Sequence, residues 1–213
     1  MANIRKIYSR AEQKLFSRLD NPLKIQDFLT FKIRHNPATD GVDCYSPRMV
    51  LKKGKAHCIE GALLAASILE FHGQNPLLMD LRSTDGDLDH VVALFYRFGS
   101  WGAISKTNHA VLRYREPVYK TTRELAMSYF HEYFLDNGRK TLREYSAPFN
   151  LNRVNRLNWR TSEKDLGQAA EILDAYKHFK ILSPAQIKNL RKADKIEIQA
   201  GKLTEWKKMR RRN

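Results

Sequence analysis

The feature that most restricts this chain is residues 56–72, Ala-His-Cys-Ile-Glu-Gly-Ala-Leu-Leu-Ala-Ala-Ser-Ile-Leu-Glu-Phe-His. Read as a helix, the segment is apolar on most faces, and such a helix has to lie in the middle of a domain. Gly73 closes it at the position where a left-handed residue ends a helix. No apolar run of the chain approaches the roughly 18 residues needed to cross a bilayer, so no membrane span is expected.

The cover for that helix follows it in sequence. Residues 76–81 (Pro-Leu-Leu-Met-Asp-Leu) and 89–98 (Asp-His-Val-Val-Ala-Leu-Phe-Tyr-Arg-Phe) read as strands. Gly99-Ser100 then turns the chain into a third strand over 101–105, which makes a hairpin. Between the first two strands, Asp85-Gly86-Asp87 reads as a polar turn, because its spacing departs from a calcium loop. Upstream, residues 11–19 and 23–33 carry helical spacing, broken at Asn21-Pro22, and 35–45 reads as a loop with Asn36-Pro37 and Asp40-Gly41. Downstream, 122–135 and 162–180 read as helices, the second opening on Ser-x-x-Asp, and Ser183-Pro184 starts another. The expectation is an α+β fold, a central helix packed on an antiparallel sheet with additional C-terminal helices. A boundary within 145–158 divides a domain over 1–150 from a basic helical appendage over 151–213.

The net charge of +15 is concentrated late: residues 151–213 hold 16 Lys/Arg and 7 Asp/Glu, 16 − 7 = +9. The run Lys207-Lys208-Met209-Arg210-Arg211-Arg212 is dense enough to attract phosphates or an acidic protein, with Trp206 the nearest aromatic. Weak, salt-sensitive binding to such partners is one expectation; a solubilising surface is the other. The opening residues lack a secretory pattern, and two cysteines without CxxC spacing suggest reduced thiols in the cytoplasm. Neither a metal nor a cofactor is expected.

Chemistry concentrates at one thiol. Cys58 stands at the start of the apolar helix, where the dipole should lower its pKa and favour the thiolate; the bland alternative is an inert core cysteine. His90 opens the longest strand and is the candidate base. His57 should project elsewhere, His72 lies at the far end of the helix, His109 lies in a loop and His131 in a helix.

Gly54-Lys55-Ala56-His57-Cys58-Ile59-Glu60-Gly61-Ala62, then Gly73, His90 and Trp101, resembles the papain/transglutaminase-like core over residues 46–108, about a third of the chain. Ser46-Pro47-Arg48 and the run Arg123-Glu-Leu-Ala-Met-Ser-Tyr-Phe130 are similar to a bacterial transglutaminase-like group. The resemblance implies a Cys-His-Asp site that attacks a peptide or protein amide and forms a thioester, as a peptidase, amidase or crosslinker. Cys58 and His90 carry over. The position of the acid is Ser105; Asn108 is the other candidate to orient the imidazole. The Cys58 amide is the natural oxyanion donor. A binding module that keeps the fold without turnover is the alternative.

Overall fold

The structure, a computed structural model, describes residues 4–36 and 44–204. Pro37, Asp40-Gly41, Trp206 and the cluster Lys207 to Arg212 lie outside those residues.

Helices α1 (Arg10–Arg18) and α2 (Pro22–Phe31) flank the break at Asn21. Asn21 caps α2 by accepting from the Lys24 N–H at 3.0 Å, and Pro22 occupies the first helical position, where its missing N–H costs nothing. Ser46 and Pro47 repeat the device at α3 (Pro47–Lys53). The short parallel pair β1 (Arg34–His35) and β2 (Lys55–Ala56) then leads the chain into α4 (Cys58–Phe71). This is the apolar helix, and every residue from Ile59 to Leu69 is buried. Its end is a Schellman turn: Gln74 N–H donates to Leu69 at 3.0 Å and Gly73 N–H to Glu70 at 2.9 Å, with Gly73 at φ +85°.

Strands β3 (Leu77–Arg82), β4 (His90–Arg97), β5 (Ser100–Ile104), β6 (Arg115–Tyr119), β7 (Glu144–Ser146), β8 (Phe149–Asn150) and β9 (His178–Lys180) form one antiparallel sheet. Its order is β6-β5-β4-β3-β7-β9, with β8 also pairing β3. The β4–β5 turn has Phe98 and Gly99 at φ 54° and 71°, the two positive values a tight two-residue hairpin needs. The pleat of β4 divides the core. Val91, Ala93 and Phe95 pack with α4, while Val92 and Leu94 join Met79, Leu81 and Ala103 in a second cluster with α5 (Thr122–Met127) and Tyr129.

Two helices are shorter than the sequence pattern suggests. The run expected to reach residue 135 stops at α5. The Arg115 guanidinium takes the Ser128 hydroxyl at 2.9 Å and its carbonyl at 3.1 Å, and the Glu132 N–H turns to Tyr129. A 3-10 turn, Phe130–Glu132, follows. Residues 162–180 split into α6 (Gly167–Asp174) and β9. Asp165 sets the late start, one oxygen accepting from Cys44 N–H and the other from Gly167 N–H. Beyond Asp174 the chain pairs with β7 (Tyr145 with Phe179, Ser146 with His178), so strand pairing overrides a helix-like spacing. β9 thus extends the sheet from beyond residue 151, and Trp159, Leu166 and Leu173 enter the α4 cluster. The later segment packs into the same core. It ends on α7 (Pro184–Lys188), capped by Ser183, and α8 (Lys195–Gly201). The architecture is mixed α+β, and no helix among the described residues is long and apolar enough to cross a membrane.

Candidate functional site

Glu60 fixes the start of α4. It is wholly buried, and its carboxylate accepts from the N–H of His57 at 2.8 Å, the N–H of Tyr45 at 2.9 Å and the Asn36 amide at 3.2 Å. The helix N-terminus is therefore tied to the segment before α3, and Cys58 becomes the first helical residue. Its sulfur lies 4.0 Å from the carbonyl oxygen of Asp89, the residue before His90. Burial pushes the Cys58 thiol above its ordinary pKa, while the amides of Val91, Ile59 and Cys58 itself pull it down and Asp80 adds to the rise. The lowering expected at a helix start is reversed, because desolvation outweighs the amides.

His90 is 6% exposed, and its Nε2 stands 2.8 Å from the Ser105 hydroxyl. That hydroxyl gives its single hydrogen to the Leu112 carbonyl at 2.5 Å. It must then accept from the ring, which assigns the proton to Nε2 and leaves a lone pair on Nδ1. Burial pulls the His90 pKa down to about 4, so the ring is neutral at pH 7. The structure joins His90 to Ser105. It joins no other proposed residue to them: Asn108 is half-buried and makes no hydrogen bond to the ring, and none links Cys58 to His90. The pleat also directs His90 away from Val91, which shares a cleft with Cys58. The other candidate bases are engaged elsewhere, His72 with the Phe16 carbonyl and His109 with that of Gly201.

The cleft beside Cys58 has a volume of about 350 Å³. Val91 and Leu173 line it, together with the carboxylates of Asp80, Asp89, Glu171 and Asp174. Asp80 is 3% exposed, and its Oδ2 meets His178 Nε2 at 3.1 Å. Asp80 and His178 are residues that sequence reading missed. The one signal was a charge set within the apolar run of β3; nothing in sequence announced that β9 would bring a histidine to it. No family model matches the chain, and no curated protein matches it significantly.

Proposed function

We propose that the protein transfers acyl groups from a peptide or protein amide through a Cys58 thioester, as in the transglutaminase-like proteins it resembles. The observation that carries this reading is the His90–Ser105 pair: a neutral imidazole with Nε2 engaged and Nδ1 open, one residue beyond the carbonyl that the Cys58 thiol approaches. The thiol proton passes to Nδ1 as sulfur adds to the carbonyl carbon. The C–S bond forms and the carbonyl π pair moves to oxygen, near the Cys58 amide. Collapse breaks the C–N bond, and the imidazolium returns its proton to the leaving amine. Water or a second amine then resolves the thioester and releases the thiol. Both groups begin uncharged, so proton transfer accompanies attack. Because the β4 pleat turns His90 from the Cys58 cleft, reaching Nδ1 requires the start of β4 to shift as well as the thiol to leave the Asp89 carbonyl, a rearrangement that substrate binding has to bring. Two free thiols suit a reducing cytoplasm.

The test is incubation with blocked glutamine and asparagine peptides plus hydroxylamine, reading hydroxamate and the intact mass of a Cys58 adduct. Adduct and hydroxamate are expected from the natural protein and absent from Cys58→Ala. Turnover that survives in Cys58→Ala, or the same null result for both proteins, overturns the reading.

The lack of a hydrogen bond between Cys58 and His90, and a hydroxyl where the family has a carboxylate, favour a second reading. It is a binding module without turnover, whose basic cluster Lys207 to Arg212 contacts nucleic acid or an acidic protein. Its signature is salt-sensitive binding of single-stranded RNA that deletion of residues 205–213 removes, with no acyl-enzyme.

A further inference from the structure

In a chain of net charge +15, the cleft beside Cys58 has the opposite character. Its carboxylates, Asp80, Asp89, Glu171 and Asp174, outnumber the two basic groups bonded to them, Arg82 and His178. Three of the four carboxylates are held on one side only. Asp80 Oδ2 accepts from His178, Asp89 Oδ1 from the amide and hydroxyl of Ser83, and Asp174 Oδ1 from Arg82 at 2.8 Å. One oxygen from each of the three lies within 4.8 Å of the others. The decisive atom is Asp80 Oδ1: it is buried and has no hydrogen-bond partner among the described residues. A buried carboxylate oxygen without a donor is costly, and here it belongs to a residue that lines an open cleft.

We propose that this cleft binds the side chain of a lysine in the amide substrate, with the ammonium among Asp80, Asp89 and Asp174 and the methylene stem along Val91 and Leu173. An ammonium offers three N–H donors and no acceptor, which suits three carboxylate oxygens. The apolar wall favours an organic cation over a metal ion, since a bare ion has nothing to place there and long basic side chains lay their stems on apolar surface. Arg82 and His178 already offset part of the negative charge, which suits a monovalent head better than a divalent ion. Carboxylates on several sides hold the amine protonated and therefore non-nucleophilic, so this lysine anchors the substrate and is not the attacking group. Only the orientation toward an acyl group rests on Cys58 being the nucleophile; the binding does not.

The experiment titrates the full chain with Nα-acetyl-lysine N-methylamide and with its uncharged norleucine counterpart, following amide chemical shifts and protection of Cys58 from iodoacetamide. Lysine should bind about tenfold more tightly than norleucine, roughly the effect of one charge-assisted hydrogen bond. Asp80→Asn should abolish the preference. Because Asp80 also holds His178, the exposed double variant Glu171→Gln/Asp174→Asn provides a second reading and should weaken lysine binding several-fold with unfolding temperature preserved. Equal affinity for the two probes overturns the proposal, as does lysine binding unaltered in both variants. Calcium chloride protecting Cys58 where lysine does not would make the cluster a metal site and overturn it too. A Cys58 thioester that forms without any lysine preference sinks this inference alone; lysine binding without a thioester sinks the acyl-transfer reading alone.

Discussion

His90 and His178 are both packed into the sheet, yet their acidities move in opposite directions. Burial opposes the charge on each ring. At His90 it prevails over a hydrogen bond to the Leu112 carbonyl, Arg115 and His109 add to the fall, and the pKa drops to about 4; the side-chain partner is only the Ser105 hydroxyl. At His178 burial is outweighed by hydrogen bonds to Asp80 and to the Tyr176 carbonyl, and the pKa rises. A hydroxyl fixes which nitrogen carries the proton without stabilising a positive ring; a carboxylate does both. The first arrangement keeps the ring neutral at pH 7. The second makes an ion pair that locks β9 against β3 and orients one oxygen of Asp80.

The largest effect that can break this division is on turnover. His90→Ala should reduce single-turnover acyl transfer by about 10²- to 10⁴-fold, the usual contribution of a positioned base. His178→Ala should leave the chemical step within about tenfold while lowering stability, since it leaves Asp80 buried and unpaired. Equal losses in the two variants would mean that the roles assigned to the rings are wrong.

Exchanging the partner sharpens the same contrast. Ser105→Asp gives His90 the kind of neighbour His178 has, and the His90 pKa should rise by about a unit or more, read by nitrogen shifts of the ring. Ser105→Ala should instead cost about 1–3 kcal/mol in urea unfolding, because the Nε2 proton and the Leu112 carbonyl both lose a buried partner. It should also release the tautomer, which the same nitrogen shifts would reveal.

The two rings should also give stability opposite pH dependence. His90 has a folded pKa below its ordinary 6.5, so the unfolded chain binds the proton more readily. Its contribution is fully present above about pH 6.5 and lost as pH falls through about 4, a change of roughly 3 kcal/mol. His178 has a raised folded pKa, so its contribution is fully present below about pH 6.5 and lost as pH rises through the raised value. Urea unfolding from pH 4 to 8 of the natural protein, His90→Gln and His178→Gln should show the acid-side loss shrink in the first variant. The alkaline-side loss should shrink in the second.

The contrast also marks what sequence could reveal. The burial of α4, its glycine stop, the break at Asn21-Pro22 and the β4–β5 hairpin all depend on residues close along the chain, and local spacing displays them. The end of α5 depends on Arg115 reaching Ser128, and β9 exists because residues 178–180 find β7. Neither is written in periodicity. At the site, Cys58 and His90 were legible as a helix start and a strand start, and Ser105 came from the family resemblance, which puts its acid at that position. The acidic cleft was not, because Asp80 and Asp174 are brought together only by folding. The direction of the Cys58 pKa escaped for a related reason: a dipole is local to a helix, whereas desolvation depends on everything packed around it.

The smallest effect concerns the rim of the His178 side. Asp174 pairs with Arg82, but its side chain is 64% exposed, and Arg82 also holds Glu144 at 3.2 Å. An exposed pair in water gains little and is weakened by salt. Asp174→Asn should therefore lower unfolding stability by less than about 1 kcal/mol, and 0.5 M sodium chloride should shrink that difference further. The pH profile of His178 should hardly change, because Asp80, not Asp174, makes the hydrogen bond that raises its pKa. Urea titrations at low and high salt measure the first effect, and ring shifts of His178 measure the second. A loss of several kcal/mol, or a His178 pKa that follows Asp174, would extend the ion-pair anchor to the rim, and the two histidine sites would then differ in reach as well as in partner.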